Sequence, residues 1–553
     1  NSASTYTGTV AFVASAGTLT NVTINDSGVF DLAALTLTGD LTVTAGGAIS
    51  DSGTLVVPGT TTIVAGANNV VLDDAANNFG IVAVTSAGTA TLVDVGAIDL
   101  GASTVTTLNV TAGGNISDSG TIVASGTTTI VAGANNVVLD DAANNFGIVA
   151  ITSAGTATLV DVGAIDIGAT TVTTLNITAG GAISDSGTIV ASGTTTIVAG
   201  ANNAVLDDAA NNFGTVAVTS AGTATLVDVD AIDLGASGVT TLNVTAGGAI
   251  TDSGNLAVTG TSTFTSANAQ SITLDNSNTF SVLAFVASAG TLANVTIVDS
   301  DAVDLAALTL TGDLTVTAGG NISDSGTLVV PGTTTLVAGT NTVILDDAAN
   351  NFGTVAVTSA TTATLVDIDA IDLGTSGVTT LNVTAGGAIT DSGNLAVTGT
   401  STFTSANAQS ITLDNSNTFS VLAFVASAGT LANVTIVDSD AVDLAALTLT
   451  GDLTVTAGGN ISDSGTLVVP GTTTLVAGTN TVILDDAANN FGTVAVTSAT
   501  TATLVDVGAI DLGATTVTTL NLTAGGAISD SGTIVASGTT TIVAGANNAV
   551  LDD

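Results

Sequence analysis

The tripeptide Asp-Ser-Gly returns at Asp51, Asp118, Asp185, Asp252, Asp324, Asp391, Asp463 and Asp530. Subtraction of successive positions gives 67, 67, 67, 72, 67, 72 and 67. A chain of 553 residues would ordinarily divide into several globular domains. Self-similarity at a fixed period implies stacked units instead. Two kinds of unit exist, and in the second half they alternate as a super-repeat whose period is 67 + 72 = 139. Residues 251–367 recur unchanged at 390–506, which points to recent duplication and to an array that tolerates changes in unit number. The spacing predicts a single continuous array over residues 1–553. The chain begins at Asn1 and stops at Asp553 inside a repeated phrase, which reads as a piece of something longer.

Each unit divides into three phrases. In residues 108–174 they read LNVTAGGNISDSGTIVASG, TTTIVAGANNVVLDDAANNFG and IVAITSAGTATLVDVGAIDIGATTVTT. Short segments such as Leu108-Asn109-Val110-Thr111 and Thr129-Ile130-Val131-Ala132 alternate with period two, the pattern of a half-buried strand. Gly113-Gly114, Asn135-Asn136 and Asn144-Asn145 separate such segments, and Gly and Asn tolerate the left-handed backbone that corners need. No stretch keeps a helical period. The reading is an all-β fold, a parallel β-helix or β-solenoid, with about 22 residues per turn if each phrase is one turn. Roughly 25 turns stacked at the strand spacing of about 4.8 Å would make a rod about 120 Å long. Val, Ile, Leu and Ala would form one inner core, and each turn would contact only its neighbours.

The alphabet excludes whole classes of function. The sequence has no Lys, Arg, His, Cys, Met or Trp, and its net charge of -45 comes from aspartate alone. Nucleic-acid binding needs cations against phosphate, so no nucleic-acid partner is expected. Acyl-transfer triads need His, Lys or Cys, and zinc and haem sites rest on His and Cys. No apolar run reaches the roughly 18 residues of a membrane span. An enzyme is not expected. With hydrophobic residues at 45%, the chain also lacks the polar composition of a disordered one.

The phrases GTIVASGTTTIVAGANN, TLNVTAGGAISDSG and DDAANNFGTVAVTSAGTATLVD are similar to the repeats of filamentous haemagglutinin-like proteins. That resemblance covers nearly the whole chain. It implies a large secreted bacterial adhesin with a right-handed parallel β-helix, so the handedness rests on the family. It also implies an extracellular or cell-surface location.

The aspartates are the candidate site. Ser117-Asp118, Leu139-Asp140, Ile165-Asp166 and Ser184-Asp185 follow one another at steps of 22, 26 and 19, which together make one period. If corners absorb the uneven lengths, Asp118, Asp140, Asp166 and Asp185 stack one strand spacing apart as a column, with equivalents in other units. Three readings of that column stand: a solvated face with diffuse counterions, protons shared through raised pKa values, or a Ca²⁺ ladder aided by Asn135, Asn136, Asn144 and Asn145. No cofactor is required; Ca²⁺ or other divalent cations are the candidates. Spread over the expected rod, the charge comes to about one per 2.7 Å, against about one per 1.7 Å in duplex DNA. Condensed cations are therefore expected whether or not specific sites exist.

Phe79, Phe146, Phe213 and Phe280 recur once per unit and read as core or corner packing. Asn109 and Asn176 begin Asn-x-Thr sequons, which leaves surface glycans as partners alongside neighbouring copies of the chain. The functional expectation is a non-catalytic structural fibre or rod-like stalk giving length and cohesion. The alternative is an adhesin stalk whose binding tip lies outside this segment.

Overall fold

The computed structural model describes residues 4–552. Contacts divide the chain into two compact units, Asn1–Ala267 with Asn276–Thr279, and Asn268–Asp275 with Phe280–Asp553. Each unit is a stack of parallel β-coils, a β-solenoid; together they hold about 27 coils of about 20 residues each. The described residues form strands and corners and contain no helix.

The local logic is visible in the first unit. A three-residue strand, Ile98–Leu100, leads into a long one, Ser103–Ala112. The next coil repeats this with Ile116–Asp118 and Ile122–Val131. Along Ser103–Ala112, Val105, Leu108, Val110 and Ala112 are buried while Thr104, Thr106 and Thr111 face out, as period two requires. Register then stacks like on like. Ile98 pairs with Ile116, and Ile116 with Val137, so one inward column runs through three coils. All three side chains are buried to within 1%. Full burial of such a side chain contributes about 1.5–3 kcal/mol. The corners are tight. Gly133 takes φ +63°, and a Cβ on Gly113 would lie 2.2 Å from the Val95 carbonyl oxygen of the coil beneath.

One strand per unit breaks the simple pattern. Asn145–Asp161 is 17 residues long. Its first half pairs with Ile122–Val131 in one sheet, and its second half lies on Val137–Leu139 in the other. A register shift at Ile130/Val131 marks the bend. Beyond it, short and long strands have exchanged sheets: Ile165–Ile167 now stacks where the long strands ran, and Thr170–Ala179 lies in the sheet of Ile98–Leu100.

The coil count follows from register. Steps from Ile49 to Val70, Ala90, Leu108, Thr128, Val149, Ile167 and Asp185 make seven coils across two successive repeats. In the second unit, Ile322 steps to Val343, Ala363, Leu381, Ser401, Leu422, Leu444 and Asp463, again seven coils for one super-repeat. A single repeat is therefore three and a half coils. The expectation of three turns per repeat, and of roughly 25 in all, is corrected to shorter coils, about 27 of them. The physical reason is the long strand Asn145–Asp161 and its equivalents: it passes between sheets without a turn, so the third phrase of each unit holds about one and a half coils. Phe79, Phe146, Phe213 and Phe280 are buried as core packing.

Candidate functional site

The half-coil rearranges the aspartates. Asp118 stacks on Leu100, and Asp185 on Ile167. Asp166 lies between Ile148 and Ser184. Asp140 follows Leu139, which pairs with Leu159. No two of the four carboxylates are register partners. Asp118 lies in one sheet and Asp140 just past the end of a strand of that sheet, while Asp166 and Asp185 lie in the other, so the expected single column is not formed. The longest step, from Asp140 to Asp166, is the one that crosses sheets.

Asp118 instead clasps the next coil. Its Oδ1 accepts the Asp140 N–H at 2.9 Å, and its Oδ2 accepts the Asp141 N–H at 3.3 Å and the Asn144 Nδ2–H at 2.6 Å. Asn144 is fully buried, and its Oδ1 accepts the Ile122 N–H at 2.7 Å. One amide side chain therefore ties a carboxylate to a backbone donor between two coils. The same clasp is made by Asp185, Asn211 and Ile189 and by Asp252, Asn278 and Leu256. In the second unit it recurs with Asp324, Asn350 and Leu328, with Asp391, Asn417 and Leu395, and with Asp463, Asn489 and Leu467. Asp51 does the same with Asn77 and Leu55, and burial raises its pKa despite the hydrogen bonds from Asn77, Asp73 and Asp74.

A second set of aspartates escaped the sequence reading. Asp94, Asp161, Asp228, Asp299, Asp367, Asp438 and Asp506 are each only 2% exposed. Asp161 Oδ2 accepts the Phe146 N–H of the coil beneath, and Oδ1 the Gly163 N–H, both at 2.6 Å. Burial raises the pKa of all seven, and their backbone hydrogen bonds oppose it. For Asp228, Asp299, Asp367 and Asp438 a neighbouring aspartate two positions on adds to the rise. A signal for these residues was present: Ala157, Leu159 and Asp161 share one phase of the alternation, so Asp161 points inward.

A third set faces outward among hydroxyls. Asp31 accepts from Thr9 at 2.5 Å, Ser52 at 2.7 Å and Ser50 at 2.9 Å. Burial pushes this carboxyl up, but the three hydroxyls outweigh it and leave the pKa below the usual value. Asp233 accepts from Thr215 at 2.9 Å. Asp166 has Ile148 where Asp233 has Thr215, and its enclosed Oδ1 has no hydrogen-bond partner; Asp99, above Ile81, is alike.

Chemically, the first two sets are acceptors for backbone donors between coils. Among the described residues no group of three or more carboxylates is arranged to hold a metal ion. Asn109 lies within a strand, where its Nδ2 donates to Thr91 Oγ1 at 3.3 Å.

Eight consecutive segments, residues 19–86, 87–153, 154–220, 221–286, 292–359, 360–425, 431–498 and 499–553, match one family of repeats of unknown function. The chain belongs to the DUF5649 repeats. The family boundaries carry structural meaning. Those after residues 86, 153, 220, 359 and 498 fall in the middle of the long strands, where the chain changes sheet. Each such DUF5649 repeat therefore begins as the chain enters a new sheet. No curated protein and no solved structure matches the chain.

Proposed function

We propose that this chain is a non-catalytic structural fibre segment that gives length and cohesion outside the cell, in the manner of the filamentous haemagglutinin-like proteins its repeats resemble. The observation that carries the reading is the repeated clasp. An aspartate, a buried asparagine and a backbone N–H join successive coils in the same way at Asp118, Asp185, Asp324 and Asp463. Chemistry that recurs in repeat after repeat along a stack serves cohesion throughout it, whereas a catalytic centre needs one distinctive constellation. A surface carrying only negative side-chain charge also favours a separate, hydrated fibre over close packing with other acidic surfaces.

The test is immuno-electron microscopy of cells producing the native protein, with antibody raised against this chain. Label along surface fibres, released together with them by shear, supports the proposal. Label confined to the cell interior rejects it. Fibres that end in an unlabelled globular tip would assign this chain to the stalk of an adhesin.

A further inference from the structure

The coil stack does not repeat its faces at the interval at which the sequence repeats. The short strand Ile49–Asp51 lies in one sheet, Ile116–Asp118 in the other, Ile183–Asp185 in the first again and Ile250–Asp252 in the second. The second unit behaves alike, with Ile322–Asp324 and Ile461–Asp463 in one sheet and Ile389–Asp391 and Ile528–Asp530 in the other. Only a pair of repeats contains a whole number of coils. A second, independent observation concerns duplication. Residues 237–367 recur without change at 376–506, an offset of 139. The two identical stretches thus stand a double unit apart, the offset that keeps its face.

We infer that the double repeat is the module by which this array changes length while keeping its faces, and that gain or loss of a single repeat turns the segment beyond it to the opposite face. The cause lies in the local splice. The copies that begin at residues 87, 154 and 221 are entered through the same phrase, Thr-Ser-Ala, at Thr85–Ala87, Thr152–Ala154 and Thr219–Ala221. Removal of one repeat therefore leaves strand pairing at the junction intact, yet subtracts three and a half coils. A partner that grips one outward row meets that row again on the same face only after seven coils, about 34 Å at about 4.8 Å per coil. Variation in single repeats would move a distal surface to the back of the stack, and variation in pairs would only alter reach. This inference does not depend on where the protein is displayed.

The test uses the full chain, which has no cysteine of its own, with Ser50→Cys and Thr251→Cys as spin-label sites. These positions are three repeats apart, since 251 − 50 = 201 = 3 × 67, and lie in different sheets. Pulsed dipolar spectroscopy then compares deletion of residues 87–153 with deletion of residues 87–220. The single deletion leaves two repeats between the labels, on the same face, at about 34 Å. The double deletion leaves one repeat, so the axial separation halves to about 17 Å, but the labels sit on opposite faces of sheets about 10 Å apart. With outward labels the expected distance stays near roughly 25 Å. A ratio of the two distances near 0.5 would overturn the inference, because both labels would then share a face at every repeat count. If a deleted chain does not fold, the undeleted chain labelled at Ser50 with Ser117, and at Ser50 with Ser184, must give the same two distances.

Discussion

Replacing the buried amide of one clasp should loosen one place in the stack by a calculable amount. In the Asn144→Ala chain the Ile122 N–H loses its acceptor, and Asp118 Oδ2 loses its shortest donor. An orphaned buried backbone donor costs about 1–3 kcal/mol, and a hydrogen bond to a charged group is worth about 1.5–3 kcal/mol. The loss should be about 3–5 kcal/mol, and stability in a coil stack is nearly a sum over neighbours. It will therefore appear as local opening around Ile122. At about 1.4 kcal/mol per factor of ten, amide exchange there should quicken by at least about 100-fold. Hydrogen exchange with mass spectrometry can read this copy alone over the segment Asn115–Ala124, because its equivalents begin with Ala48, Ala182 or Ala527 or end with Val330 or Val469 in place of Ala124. Asn176→Ala, which removes only a 3.4 Å contact to Thr158, is the control and should leave exchange within a few-fold of the parent. Protection at Ile122 that is unchanged in the Asn144→Ala chain would refute the clasp as a source of cohesion.

Other perturbations follow from the same contacts. The folded chain holds Asp51, Asp94, Asp161, Asp228, Asp299, Asp367, Asp438 and Asp506 at raised pKa, so in the window just above 3.8 these groups bind more protons than in the unfolded chain. Their contribution to stability is then greatest below the unfolded value and falls as pH rises through the folded values. Asp31, lowered, acts in the opposite sense as one group against eight. The denaturant midpoint by far-ultraviolet circular dichroism should be higher in mild acid than at neutral pH, and a lower one would contradict the account. Thr128 Oγ1 is enclosed in the core without a partner, so Thr128→Val should raise stability by about 1–2 kcal/mol; a lower midpoint would mean the hydroxyl is satisfied. With 45 aspartates and no cationic side chain, millimolar Ca²⁺ should increase light scattering through lateral association, and scattering unchanged between chelator and Ca²⁺ would remove divalent ions from the proposal.

Strands and corners were legible in the sequence because their signals are local. Val105, Leu108 and Val110 announce the inward face, and Gly133 marks a corner by its need for positive φ. Handedness has no local signal and was carried only by family resemblance. The coil count was misread because the change of sheet happens within Asn145–Asp161, a strand that bends at a bulge and leaves no turn residues to read. The aspartate column failed for the same reason, since spacing in sequence converts to position only when every unit holds whole coils. Asp161 was legible in principle, by phase with Leu159. Its partner, the Phe146 N–H, belongs to the preceding coil, a contact that only the register discloses. The pairing of Asp118 with Asn144, more than a full coil further along the chain, was hidden in the same way.

The most direct measurement is electron cryo-microscopy of the native material, read for axial periodicity on both faces. The expected result is a strong axial spacing of about 4.8 Å from the coils and a modulation at about 34 Å, staggered by half between opposite faces. Fibres modulated in step on both faces at a whole number of coils per sequence repeat, or particles without the coil spacing, would contradict it.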